Sequence, residues 1–378
     1  MNSYKLSDLI EICNGTKYNH LNTGSIPLYG SGGIMSYVDD FLYDGEAVLL
    51  PRKGTLNNIL YTEGKIWTVD TMYYATTNTL VLPYYLYCYL SLLDLGHLDS
   101  GSALPSMTKS AYYNIEVRLP DIPVQSSVVD LVKNIDKKIE LNNKINSELE
   151  ATAKTIYNYW FVQFDFPDEN GNPYKSSGGK MVYNEDLKRD IPEGWNVDEL
   201  QSIATSIMGH SPSGESYNSK AVGMPLLNGP ADYKNGALFG KTYTTSPTRV
   251  CKKDDMVLCI RATIGNLVYS EGEFCLGRGV AAVRPHKEES SELIYFLLQQ
   301  EIKRFKIQAT GSIIKGIIKD DLVESKCLIP NENIVLEFHK IAKPMFNKQR
   351  KAKTENLNLI DLRNWLLPLL MNGQVKIK

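Results

Sequence analysis

A long-period repeat constrains this chain more than any single motif does. The segment AVLLPRKGTLNNILYTEGKIW from Ala47 matches MVLCIRATIGNLVYSEGEFC from Met256, which pairs Arg52 with Arg261, Asn58 with Asn266, Tyr61 with Tyr269 and Glu63-Gly64 with Glu271-Gly272. The offset is about 210 residues over most of the length. It also pairs Gly101-Ser102 with Gly311-Ser312 and Leu119-Pro120 with Ile329-Pro330. Earlier, YKLSDLIEI matches WNVDELQSI at a smaller offset, so the second copy carries extra residues ahead of its arginine. With 378 residues, each copy is long enough to build its own core without disulfides or metals as staples.

Within each copy the pattern is first mixed. Short β-rich runs such as Ala47 to Leu50, Met256 to Ile260 and Gly279 to Val283 alternate with turn clusters such as YGSGG (Tyr29 to Gly33) and LNGPADYKNG (Leu227 to Gly236). After Leu119-Pro120 and after Ile329-Pro330 glycine disappears and helical periodicity begins. The expected fold class is α+β: two pseudo-repeated globular domains separated by an antiparallel pair of long coiled-coil helices. The expected boundaries are a first domain over 1–120, a central spacer helix over 121–163, a linker over 164–194, a second domain over 195–330 and a C-terminal helix over 331–378.

In the first helix Val128, Leu131, Ile135, Lys138, Asn142, Ile145, Leu149, Thr152 and Ile156 fall at alternating spacings of three and four. That is a coiled-coil seam, in which Asn142 is a polar residue able to fix register. From Val124 to Tyr159 such a helix spans about 50 Å, too long to bury its seam on one small domain. The second helix begins near Asn333, places Phe338, Ile341 and Met345 at matching positions and ends in the apolar LRNWLLPLLMNG. Pro344 and Pro368 each remove a backbone donor, so a kink or a restart is expected at Pro344. The linker Phe164 to Gly194, rich in Pro, Gly, Ser and Asn, reads as an exposed crossing.

The six cysteines stand singly with no C-x-x-C pair, which suits a reducing compartment, and no apolar run reaches the length of a membrane span. The start MNSYKLSDLIEICNG lacks a basic segment followed by an apolar one, so a cytoplasmic location is expected. A formal net charge of −2 argues against tight, sequence-blind binding of polyanions but leaves room for local basic patches.

Motifs for catalysis are missing or broken. NGALFGKT (Asn235 to Thr242) has asparagine where a phosphate loop needs its first glycine. GNPYK and LPYY each lack a residue of the Asn/Asp-Pro-Pro-Tyr motif of amino-methyltransferases, and the five histidines are scattered. No enzyme, metal site or cofactor site is expected in this chain.

IDKKIELNNKINSELEATAKTIYNYWFVQFDFP (Ile135 to Pro167), PEGW (Pro192 to Trp195) and the terminal LRNWLLPLLMNGQV resemble the repeat regions of type I restriction-modification specificity (S) subunits. The resemblance covers essentially the whole chain. It implies two target recognition domains, each reading one half of a split, asymmetric site on double-stranded DNA. It implies helices that set the gap between half-sites and carry two modification (methyltransferase) subunits, with restriction (motor-nuclease) subunits joining them. S-adenosylmethionine and ATP/Mg would then belong to those partners.

The resemblance also directs attention to loops. Arg52-Lys53-Gly54-Thr55 and Arg261-Ala262-Thr263-Ile264-Gly265-Asn266 each follow an apolar strand, at a place where the family often has arginine and a Gly- and Thr-containing turn close to DNA. Arginine grips phosphate or pairs with guanine, and glycine lets backbone approach the duplex. The alternative is an arginine that caps its strand and pairs with a local carboxylate. Arg278, between two glycines, could present a guanidinium to a groove or make a salt bridge. Gly30, Ser31 and Gly32, then Ser102 and Lys109, and Ser312 and Lys315, offer donors for phosphates, although Gly-Ser pairs are also ordinary turns. The pair Tyr73-Tyr74 reads as core. The basic run NKQRKAK (Asn347 to Lys353) reads as a solvated or subunit-facing stripe. A protein-binding scaffold with two globular heads is the remaining alternative to DNA recognition.

Overall fold

The computed structural model describes residues 1–96, 105–234, 236–261, 264–309, 316–375 and 377. They form two compact units, Met1–Glu140 with Asn358–Lys378, and Leu141–Leu357.

Unit 1 begins with β1 (Asn2–Lys5), β2 (Ile10–Asn14), the hairpin β3 (Thr23–Gly30) and β4 (Gly33–Val38), and β5 (Tyr43–Asp44). Next come β6 (Ala47–Pro51), β7 (Leu60–Thr62), β8 (Lys65–Thr68) and β9 (Met72–Thr77). Two short helices, α1 (Pro83–Leu90) and α2 (Lys109–Tyr113), and strand β10 (Glu116–Leu119) lead into the long helix α3 (Ile122–Tyr157). The main sheet has the antiparallel order β2-β9-β6-β7. Its central strand β6 is AVLLP with all five residues buried, as an uninterrupted apolar run requires. Strand β8 runs parallel to β3, and β1 pairs with β10. Leu50, Tyr73, Tyr85, Leu86 and Tyr112 lie in the core, to which α3 adds Val128 and Val132.

Unit 2 opens with the second half of α3, followed by the hairpin β11 (Met181–Asn184) and β12 (Arg189–Pro192), then β13 (Asn196–Glu199) and β14 (Ala204–Met208). The short strands β15 (Tyr217–Asn218), β16 (Met224–Leu227), β17 (Tyr233–Lys234), β18 (Ala237–Leu238), β19 (Thr242–Thr244) and β20 (Val250–Cys251) follow. Then come β21 (Met256–Cys259), β22 (Gly265–Tyr269), β23 (Phe274–Leu276), β24 (Val280–Pro285), α4 (Ser291–Ala309), α5 (Lys319–Val323), β25 (Lys326–Ile329) and α6 (Glu332–Met371). The sheet β14-β24-β21-β22 repeats β2-β9-β6-β7, β13 pairs with β25 as β1 does with β10, and β16 and β23 are parallel like β3 and β8. The sequence repeat is therefore a repeat of topology. Many of the extra residues of the second copy form the additional strands between β14 and β21.

Both long helices contribute to both units, and the start of one accompanies the end of the other. In unit 1 Val128 and Val132 share a core with Leu367, Leu370 and Met371; in unit 2 Ala153 and Tyr157 share one with Phe338, Ala342 and Phe346. The expected seam is partly corrected. Ile135, Asn142 and Phe338 are buried, while Leu131, Ile145, Leu149 and Met345 are partly so. Ile341, however, is 38% exposed, and Ala342 takes its place. Lys138 and Thr152 are exposed as well, and Ala153 is buried. An α-helix drifts by about 20° per heptad against a strict 3-4 alternation, so the buried stripe moves off the extrapolated positions.

Two further expectations change. Helix α6 continues through Pro344 and Pro368 and does not restart at Pro344, where Ala342 and Phe346 hold it on either side. The linker is not simply an exposed crossing. Phe164 and Phe166 are buried against Trp195, Phe166 stacking on it at 5.0 Å, because the aromatic content outweighs the turn-forming residues around it.

Candidate nucleic-acid interface

In unit 1 the chain reverses direction after β6, and this loop gathers several residues singled out by sequence. Arg52 and Lys53 donate backbone N–H groups to the Thr71 carbonyl at 2.9 and 3.3 Å, and Gly54 donates to Pro105 at 2.9 Å. Gly54 has φ +93°, which favours glycine, and a Cβ there would lie 2.9 Å from Ser31 Oγ, so the Ser31 hydroxyl would have to turn away. The β3–β4 turn, with Gly30, Ser31 and Gly32, sits against this loop. The Asn58 side chain fastens the two by donating to the Ser31 carbonyl at 2.8 Å. Lys53 and Thr55 are exposed.

Arg52 and Lys109 meet at one tyrosine. The Arg52 guanidinium carbon lies 5.9 Å from the centre of the Tyr73 ring, and Lys109 Nζ lies 5.8 Å from it. Arg52 Nη1 donates to the Asp70 carbonyl at 3.4 Å and Lys109 Nζ to the Ile12 carbonyl at 2.6 Å. Among the described residues Arg52 thus bonds a backbone carbonyl rather than the carboxylate its structural alternative required. Tyr73 is itself braced edge-on by Tyr112, whose hydroxyl donates to Pro51 at 2.7 Å. Burial raises the Tyr112 pKa well above its ordinary value, which keeps that donor protonated.

Unit 2 builds its counterpart differently. Arg261 is exposed, and Gly316 lies so close that a Cβ there would be 2.8 Å from Arg261 Cγ. Among the described residues Asn266 does not repeat the bracing role of Asn58. It has φ +52° and follows Gly265 at φ +129°, next to a register shift between β21 and β22. Asparagine tolerates that left-handed conformation at a bulge.

Arg278 is exposed on the tight connection from β23 to β24. A Cβ on Gly277 would fall 2.2 Å from Asn228 Oδ1, and one on Gly279 1.9 Å from the Asn228 carbonyl. The flanking glycines therefore let this loop press against Asn228 with Arg278 at its tip. Its Nε donates to Ser211 Oγ at 3.3 Å, a hydroxyl rather than the carboxylate of a salt bridge. Ser102, Thr263, Ser312 and Lys315 lie outside the described residues.

Each unit also ties its head to a long helix through the repeated Tyr-x-Glu-Gly. In unit 1 Lys133 of α3 bonds Glu63 at 2.6 Å and lies 4.9 Å from the Tyr61 ring centre. In unit 2 Arg350 of α6 bonds Glu271 at 2.6 Å and Asp254 at 2.6 Å and lies 5.7 Å from the Tyr269 ring centre. The run NKQRKAK is therefore not simply a solvated stripe. Arg350 turns inward, and the buried Gln349 donates to the Asn146 carbonyl at 2.9 Å. Sequence reasoning missed the latch and the use of Tyr73, although the repeated Tyr and Glu were its visible signal.

The family model for the type I restriction modification DNA specificity domain matches residues 1–151 and 192–361. The chain belongs to this family. Among relatives of this specificity-domain chain, the type I restriction enzyme HindI specificity subunit of Haemophilus influenzae is 23% identical over 333 residues, covering 73% of this chain and 72% of the relative. The MjaIX specificity subunit of Methanocaldococcus jannaschii is 22% identical over 300 residues, covering 75% of this chain. The chain spans 66% of the length of that archaeal protein and 62% of another relative from the same organism. The specificity-domain fold extends over both repeats. A crystal structure of a type I restriction-modification system S subunit from M. genitalium superposes with a TM-score of 0.69 at 14% identity, covering 98% of this chain and 95% of the other. No described helix is long and apolar enough to cross a membrane.

Proposed function

We propose that this chain is the non-catalytic DNA-recognition subunit of a type I restriction-modification complex, and that its two globular parts each read one half of a bipartite, asymmetric site on double-stranded DNA. The observation that carries the reading is the duplicated fold with unlike loops at equivalent positions: Arg52, Lys53, Thr55 and Lys109 beside Gly30, Ser31 and Gly32 in one copy, Arg261, Asn266 and Arg278 in the other. Identical scaffolds with different exposed donors suit two different half-sites. Ser102, Thr263, Ser312 and Lys315 belong to the same proposal by sequence position.

The paired helices set the spacer between half-sites and dock two modification subunits, and restriction subunits complete the assembly. S-adenosylmethionine and ATP/Mg are bound by those partners, and the complex works in the cytoplasm. A net charge of −2 leaves this chain a weak binder of DNA alone, with modification subunits supplying much of the phosphate grip.

The test is methylation sequencing of DNA from cells that express the chain with its modification subunit, with and without exchange of residues 1–120 for those of a chain of different specificity. A split methylated motif that changes in one half supports the reading. An active native pair whose motif ignores the exchange would place recognition elsewhere and leave this chain a scaffold.

A further inference from the structure

We propose that Tyr73 is a positioning residue for the half-site read by unit 1, its ring holding Arg52 and Lys109 as an oriented pair facing DNA. The inference rests on the DNA-recognition reading above and assigns to one residue the order of that surface. Arg52 enters from the loop after β6 and Lys109 from the first turn of α2; the Met107 N–H donates to the Arg52 carbonyl at 2.9 Å and the Gly54 N–H to Pro105 at 2.9 Å, so the two backbones are joined, but these bonds do not orient the long side chains. Two like charges repel, and long side chains lose much freedom when fixed. The negative face of an aromatic ring offsets both costs.

The surroundings keep that ring in place. Tyr73 is 5% exposed, its backbone lies in the middle of the sheet opposite Leu50 and Asn14, and Tyr112 meets it edge-on. Among the described residues the carbonyls of Asp70 and Ile12 each take one donor, from Arg52 and Lys109 respectively, and these two bonds fix the direction of each side chain beside the ring. Such an arrangement is preorganised: a DNA phosphate or guanine meets cations already ordered before binding.

The repeat supplies an internal control. Leu50, two residues before Arg52, pairs with Tyr73; Cys259, two residues before Arg261, pairs with Val280. Val280 is fully buried and has no aromatic face, so the position equivalent to Tyr73 offers Arg261 no ring. Loss of the Tyr73 ring is therefore felt in one half-site only.

The experiment uses the whole chain with its modification subunit and compares the native protein with Tyr73→Leu and Tyr73→Phe. The readouts are the methylated motif, resolved by half, and KM for DNA against kcat on a duplex carrying the native site. For Tyr73→Leu the expected result is a degenerate unit 1 half, an unchanged unit 2 half and a KM raised about tenfold with kcat preserved. Tyr73→Phe, which keeps the ring, restores the motif in both halves. A Tyr73→Leu protein with the native motif and KM overturns the proposal. So does one that loses both halves together, because the tyrosine is then only structural, and so does a Tyr73→Phe protein that behaves like Tyr73→Leu. If the native complex methylates no split motif, the DNA-recognition reading itself falls, a result visible before any variant is made.

Discussion

The Arg350 guanidinium grips the Glu271 carboxylate with two parallel hydrogen bonds, Nε to Oε1 at 2.6 Å and Nη2 to Oε2 at 2.9 Å. A fork-to-fork pair is stronger and more directional than a point contact. Here it joins β22's end to the middle of α6, with Asp254 as a second anion and the Tyr269 ring beneath. Glu271 is about half exposed, so solvent screens part of the gain. Arg350→Ala is expected to destabilise unit 2 by about 1–2 kcal/mol, and Arg350→Lys by less, since lysine keeps the charge but not the fork. Hydrogen exchange of the full chain gives the check. Faster exchange in β22 and the facing part of α6 is expected, and unchanged protection there would show that the apolar contacts alone hold the head.

Asn142 supplies a second, buried connection between the helices. Its Nδ2 donates to Asn356 Oδ1 at 2.9 Å and to Glu355 Oε2 at 2.8 Å, while Asn356 Nδ2 donates to Asn143 Oδ1 at 2.9 Å. Asn142→Leu strips a donor from the buried Asn356 oxygen and is expected to cost about 1–3 kcal/mol. Asn142→Leu with Asn356→Leu removes both polar partners and should recover most of that loss, at the expense of a unique register. Urea unfolding of the two variants decides the matter; a single leucine variant more stable than the native chain would contradict it.

How far these features can be read from sequence depends on whether their cause is local. The repeat is legible because Tyr61 and Tyr269, or Glu63 and Glu271, face the same kind of helix cation, and Asn142 stands out as a polar residue in an apolar stripe. The β6 and β21 runs announce central strands by being apolar throughout. What could not be read is convergence. Lys109 and Arg52 come from distant segments; the order β2-β9-β6-β7 sets Arg52 beside Tyr73, and the bonds from Met107 to Arg52 and from Gly54 to Pro105 bring Lys109 to the same place. Tyr73 reads as core because it is core on one side, and the linker's Phe164 and Phe166 lie among turn residues that mask their burial. Ile341 shows the limit of a periodic rule carried along a helix that drifts.

The unit 1 latch carries a pH dependence. The hydrogen bond from Lys133, followed by that from Tyr61, holds Glu63 below its ordinary 4.5, against a smaller opposing effect of burial. A carboxyl with a lowered folded pKa stabilises the protein fully above the unfolded value and loses that contribution as pH falls through the folded one. Glu63 is more than half exposed, so the contribution is at most about 1 kcal/mol. Glu63→Gln should therefore be less stable than the native chain at neutral pH, and the gap should close as pH falls below 4.5. Paired urea titrations across that window are the measurement, and a gap that stayed constant down to low pH would assign the effect to something other than the ion pair.

Arg278 gives the corresponding prediction for the proposed DNA surface of unit 2. Its loop is fixed by contact with the Asn228 side chain at Gly277 and the Asn228 carbonyl at Gly279, and among the described residues its side chain is anchored by the Ser211 hydroxyl. Arg278→Ala should thus leave the fold intact, because no buried partner is orphaned. If the guanidinium reads a guanine, its removal costs about 1–3 kcal/mol at one base position and relaxes the motif there; if it grips a phosphate, binding weakens evenly across sequences and depends less on salt. The exposed tip on a rigid base favours the first outcome, because it lets the guanidinium reach past the phosphates to a base edge. Methylation sequencing with Arg278→Ala should show a single relaxed position in the unit 2 half and a native unit 1 half. A motif unchanged at every position, with unchanged salt dependence of DNA binding, would remove Arg278 from the interface.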